Sequence, residues 1–291
     1  MQANLYALGA IAMWSLLALL GVALKHVPPF LLTGAALILG SLLALPHVLR
    51  QPQLWRIKPK PLALGVLSLF GFHFLLFIAL RMAPAVEVNL INYLWPLLMV
   101  VLAPLYLPAV TLRPLHYLAA LLGFSGAAVA ILGARTAATD QFVNAGWGVA
   151  LAYLLALCSA FIWANFSLQT KRMAQVGQHI PTAAIGLFGL LAGLLALLCH
   201  FLLEPAVQLS QRDYWLLALT GLGPLGAAFF LWDKALKLGD ARQIGLLSYL
   251  TPLGSTALLM LFGGRSLSWS VGLAATMIVG AALLGSRVQK H

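Results

Sequence analysis

Apolar runs of about 20 residues recur along almost the whole chain, and they constrain the fold more tightly than any other feature. They lie at roughly 4–24, 28–49, 61–82, 86–107, 113–134, 146–169, 182–203, 213–237, 242–263 and 267–286. A helix of ~20 apolar residues is long enough to cross the ~30 Å hydrocarbon core of a bilayer. The surface chemistry agrees. The chain is 62% hydrophobic and 8% charged, whereas soluble domains carry about 25% charged residues. Six acids and 17 Lys and Arg cannot cover 291 residues with a polar shell, so the solvent for the apolar surface is lipid. The first run, Leu5 to Leu24, has no basic stretch before it and is expected to span the membrane rather than act as a cleavable signal peptide.

The connections are short and hold the helix breakers, among them Pro28-Pro29, Pro84, Pro108, Pro181 and Pro205. No loop is long enough for a soluble domain. The boundaries between runs three and four and between runs eight and nine are the least distinct, punctuated only by Arg81–Glu87 and Lys234–Arg242. With the N-terminus inside, twelve Lys and Arg fall on the cytoplasmic side and five on the other. The positive-inside rule then predicts both termini in the cytoplasm. The net charge of +11 is scattered between apolar runs rather than clustered, which argues against a nucleic-acid surface. Cys158 and Cys199 both lie in apolar runs, with neither metal-ligand spacing nor a disulfide framework.

The chain also resembles itself. Residues Ala79–Pro96 align without gaps on Ala235–Pro252, an offset of 156, with seven of 18 positions identical, including Tyr93 on Tyr249 and Pro96 on Pro252. Arg81 meets Lys237, and Trp14 in the first run is echoed by Trp163 in the sixth. Spans one to five thus correspond to spans six to ten. Five is odd, so the second copy enters the membrane inverted. The expected fold is an all-α polytopic membrane protein of ten helices in two inverted repeats, residues 1–140 and 141–291. Inverted halves that exchange conformations give alternating access.

Pro96 and Pro252 lie near the middle of the fourth and ninth runs. A proline inside a helix removes a hydrogen bond and kinks the helix, and in lipid the freed carbonyl needs a partner or a wet cavity. The two symmetric prolines are therefore candidate hinges beside a substrate site. Asn89, Asn92 and Pro96 share a helix face, matched by Gly245, Ser248 and Pro252. Such a polar stripe either glues helices together or lines a site. Trp14, His73 and Trp95 fall at mid-span, where Trp either packs in a core or walls a flat ligand. Tyr93, Trp163 and Tyr249 are further candidates. His73 could carry a proton, donate to a substrate carboxylate or sit satisfied in the core.

Carboxylates are scarce at mid-depth. Glu87 lies near the outer start of the fourth span, within reach of Arg81, and Asp233 precedes Lys237 by four residues as a helix pair. A carrier tightly coupled to protons or sodium usually holds a mid-depth acid, so facilitated diffusion or exchange of a neutral or zwitterionic substrate is favoured, with Glu87 and His73 keeping proton coupling open. No zinc-protease, Walker or nucleophile-elbow motif is present. Neither enzymatic activity, a cofactor nor a metal is expected. The alternative of an intramembrane enzyme on lipid-linked substrates lacks an acid–base pair.

These features together resemble the drug/metabolite transporter superfamily, EamA type, over essentially the whole chain. Val86–Pro96, Ala160–Ala164 and Ser248–Pro252 are similar to segments of its aromatic amino acid exporters, and the Asn-Tyr-Leu-Trp-Pro run at 92–96 is the most specific. The resemblance implies export of aromatic and other neutral amino acids, or of other small metabolites or drugs, across a bacterial inner membrane. It makes Trp14, Tyr93, Trp95 and Trp163 cavity residues. The expected partners are a small-molecule substrate and the lipid bilayer, without nucleic acid; a monomer is compatible with the sequence, which does not fix the oligomeric state.

Overall fold

The computed structural model describes residues 1–108, 110–133, 147–178, 180–263 and 269–288. The expected boundary between repeats, at 140, lies outside them. Helices α1 (Gln2–Ser15) and α2 (Leu17–Ala23) make the first span, and α3 (Pro29–Ser41) and α4 (Leu45–Arg50), joined by a 3₁₀ turn, make the second. Helix α5 (Pro59–Met82) is the third. The fourth comprises α6 (Ala85–Asn92) and α7 (Trp95–Tyr106), and the fifth is α8 (Pro114–Gly133). The sixth and seventh are α9 (Trp147–Gln175) and α10 (Ala184–Leu203). The eighth holds α11 (Gln211–Leu222), a π-helical turn (Gly223–Ala227) and α12 (Ala228–Leu238). Helices α13 (Ala241–Leu247) and α14 (Leu250–Gly263) form the ninth, and α15 (Trp269–Val288) the tenth. Among the described residues nine of these runs are long and apolar enough to cross a membrane, with the shorter Trp269–Gly285 as the remaining apolar helix.

The packing follows the repeat. Spans two and seven pack together, as do four and nine, and five and ten; span three packs on six, and eight on one. Adding five to each span number maps this set onto itself, as a pseudo-twofold relation requires. Gly239, at the end of α12, packs on Ala3 at the start of α1, so the even-numbered spans end on the face where the first begins. We call this the near face and the opposite one the far face.

The mid-span prolines sit differently from the expectation of kinks. The fourth span breaks at Tyr93–Leu94 and the ninth at Ser248–Tyr249, and each proline lies in the first turn of the helix that follows. There a missing N–H costs little, because the first N–H groups of a helix have no intrahelical partner. The broken backbone is satisfied locally. Tyr93 N–H donates to the Asn89 carbonyl at 2.9 Å, Leu94 N–H to Ile91 at 3.1 Å, and Thr251 N–H to Ser248 at 2.9 Å.

The eighth-span π turn is an additional break. It packs against α3, and the approach is close. A Cβ on Gly40 would lie 2.7 Å from both the Gly221 carbonyl oxygen and the Gly226 Cα. Only glycine fits there, because neither backbone neighbour can move aside.

Candidate functional site

The breaks and long spans bring the tryptophans of four spans to one place. Trp14 from α1 lies 5.9 Å from Trp163 of α9 and 5.1 Å from Trp232 of α12, measured between ring centroids. Trp95, the first residue of α7 after the break, lies 6.4 Å from Trp163 and 5.5 Å from Trp232, both nearly perpendicular. Edge-to-face geometry of this kind is favourable between rings. Phe72 and Phe229 extend the cluster, each within 5.5 Å of Trp163. The tryptophans are buried, with Trp14 the most exposed at 9%.

Polar ends are matched. Trp14 Nε1–H donates to the Pro224 carbonyl at 3.1 Å, which places it on the π turn. Trp232 Nε1–H donates to Ser167 Oγ at 3.1 Å. His73 is buried against Phe72, Phe77 and Phe229, with Nδ1 2.7 Å from the carbonyl of Leu69, one turn back. That bond defines a donating Nδ1–H and leaves Nε2 within the aromatic surroundings.

The other expected site residues divide. Asn92 is buried, and its Oδ1 accepts from Ser159 Oγ at 3.3 Å across the fourth and sixth spans, so it ties helices together. Asn89 and Tyr93 are partly exposed, Tyr93 at the break itself. Ser248 is buried with its hydroxyl donated to Gly245 at 2.6 Å. Tyr249 packs with Val100, Ala120 and Ile278 between the fourth, fifth, ninth and tenth spans. Tyr249 thus belongs to a different apolar cluster from the tryptophans. Trp232 and Phe229 were not singled out in the sequence; both belong to the run 229–233, Phe-Phe-Leu-Trp-Asp, whose aromatics resemble ordinary membrane-helix content.

A cavity of about 280 Å³ opens beside the cluster, at the near face. Its wall includes Phe166 and Thr170 of α9, Phe188 of α10, and Asp233 and Lys237 of α12. Phe166 belongs to both features, since its ring lies 5.6 Å from that of Trp163. The far face is tied together around a buried carboxylate. Glu204 there is fully enclosed and receives the N–H groups of Phe30 and Leu31 at the start of α3, together with Arg81 Nη2 and, within 3.0 Å, His200 Nδ1. Arg81 thus pairs with Glu204 rather than with Glu87, whose carboxylate instead takes the Tyr153 hydroxyl at 3.0 Å. At the near face, Trp55 Nε1–H donates to the Ala183 carbonyl at 2.9 Å.

A helical bundle with broken spans, an aromatic centre and a cavity on one face defines a membrane carrier. The EamA-like transporter family model matches residues 1–132 and 150–287. The chain belongs to the EamA-like transporter family. It is 38% identical over a 303-residue alignment to the aromatic amino acid exporter YddG of Ancylobacter novellus, covering 100% of this chain and 99% of that one. It is 28% identical to the YddG exporter of Escherichia coli K12, covering 97% and 96%. A solved crystal structure matches the fold with a TM-score of 0.89 at 34% identity, over 99% of both chains.

Proposed function

We propose that the protein exports aromatic, and other large neutral, amino acids across a bacterial inner membrane by alternating access. The observation that carries this reading is the cluster of four tryptophans, joined through Phe166 to the wall of a near-face cavity, in a chain related over its whole length to aromatic amino acid exporters. Flat rings and an amphipathic N–H favour a flat apolar side chain with a polar end. The near face is then the cytoplasmic one, in keeping with the excess of Lys and Arg on the side of the termini. The two repeats, 1–140 and 141–291, exchange roles as one face opens and the other closes, with the Pro96 and Pro252 breaks as hinges.

The test is counterflow of labelled phenylalanine into liposomes holding the purified protein. Wild type is expected to accumulate label, and Trp95→Ala combined with Trp163→Ala to abolish accumulation at normal expression. Wild-type counterflow by the double variant would overturn the aromatic site. A wild-type protein inert to phenylalanine, tyrosine and tryptophan would overturn the substrate class.

A further inference from the structure

A bound amino acid brings an ammonium and a carboxylate into the membrane, and both need partners at low dielectric. The helix breaks supply little, because their described backbone N–H groups at Tyr93, Leu94, Ser248 and Tyr249 are already donated within the chain. The near-face cavity supplies charge. Asp233 Oδ2 lies 2.6 Å from Lys237 Nζ, and both residues line the cavity. Thr182 Oγ1 donates to the same Oδ2 at 2.6 Å. Among the described residues both bonds fall on Oδ2, which leaves Oδ1 as an acceptor. Lys237 also donates to the Ile180 carbonyl at 2.7 Å and, at a longer 3.4 Å, to Thr182.

We propose that Asp233 and Lys237 form the subsite that reads the amino acid's charged end, Asp233 taking the α-ammonium and Lys237 the α-carboxylate while the ring reaches past Phe166 towards the tryptophan cluster. This rests on the amino acid substrate inferred above. Three observations support it. The two charges stand side by side, as they do across the single α-carbon of an amino acid. Exchanging one internal pair for two pairs with the ligand buries no net charge, the condition under which desolvation is best offset. The pair also borders Phe166, which links the cavity to Trp163.

The opposite face provides a contrast. Arg81 holds the position equivalent to Lys237 and also meets a carboxylate, Glu204. That carboxylate is 0% exposed and capped by two α3 N–H groups, so it is closed to ligand. The near-face pair opens on a cavity.

A simple helix brace and a zwitterion reader differ in how they sort one-ended ligands. Phenethylamine carries only the ammonium and 3-phenylpropionate only the carboxylate. Inhibition of phenylalanine counterflow by each, with ligand-induced thermal shifts of the same full-length protein in detergent, reports the two contacts separately. Asp233→Asn is expected to weaken phenethylamine on the order of tenfold while strengthening 3-phenylpropionate, because Lys237 loses its internal competitor. Lys237→Gln is expected to do the reverse. Thr182→Val changes neither charge and relieves Oδ2 of a donor, so phenethylamine should bind severalfold tighter. Equal loss of all ligands in the two charge variants, or no change in Thr182→Val, overturns the proposal. Wild type that fails to move phenylalanine overturns the substrate reading instead, and the same assay shows which has failed.

Discussion

Each tryptophan in the cluster has a different attachment, so each substitution carries its own expectation. Trp232 is 1% exposed, touches Trp14 and Trp95, and holds Ser167 through its N–H. Trp232→Phe keeps an aromatic wall but leaves the Ser167 hydroxyl without that donor. It should cost about 1 kcal/mol in unfolding free energy and reduce phenylalanine counterflow only partly. Trp232→Ala opens a void against two tryptophans and should cost ~3–5 kcal/mol and abolish counterflow. Denaturant titration in detergent alongside the liposome assay separates the two effects. His73 has its Nδ1 held by the Leu69 carbonyl and its ring set among Phe72, Phe77 and Phe229.

At the scale of elements, close approach and end-capping hold the spans in place. Gly40→Ala would set a methyl group against the backbone of the π turn. Spans two and eight would have to separate, and the melting temperature in detergent should fall clearly, whereas Gly148→Ala, with open space around it, should leave it unchanged. Glu204→Gln would weaken the bonds to Arg81 and His200 at the far face and should lower stability by ~1–3 kcal/mol, read by the same melts. The short connection between spans eight and nine carries a pH-dependent contact. Burial pushes the Asp240 carboxyl up, but its bonds to the Arg242 side chain and backbone together hold it below the ordinary carboxylate value. A depressed carboxyl stabilises the fold above its unfolded value of ~3.9 and loses that contribution as pH falls through the folded-state value. Asp240→Asn should therefore lower the melting temperature at pH 7, and the difference from wild type should shrink as pH falls below about 3.9.

For the whole molecule, the near face is expected to be cytoplasmic. Single cysteines added at the N-terminus should react with a membrane-impermeant thiol reagent only after the cells are opened; labelling of intact cells would reverse the orientation. The ten spans, the fivefold shift that relates them and the membrane setting were all legible in the sequence, because lipid admits few ways to satisfy a backbone and hydropathy records them directly. The positions of the fourth- and ninth-span irregularities were legible too, through Pro96 and Pro252. The partners across spans were not. Arg81 lies six residues from Glu87 yet reaches Glu204, 123 positions away. Trp232 looked like any apolar helix residue, and Tyr249 shared its repeat position with Tyr93 but turned towards the fifth and tenth spans. The sequence thus determined which segments cross the membrane and that they form two related sets. Which side chains meet depends instead on three-dimensional packing, because helix rotation and the placement of a break are set between spans distant in the chain, and no local pattern encodes that.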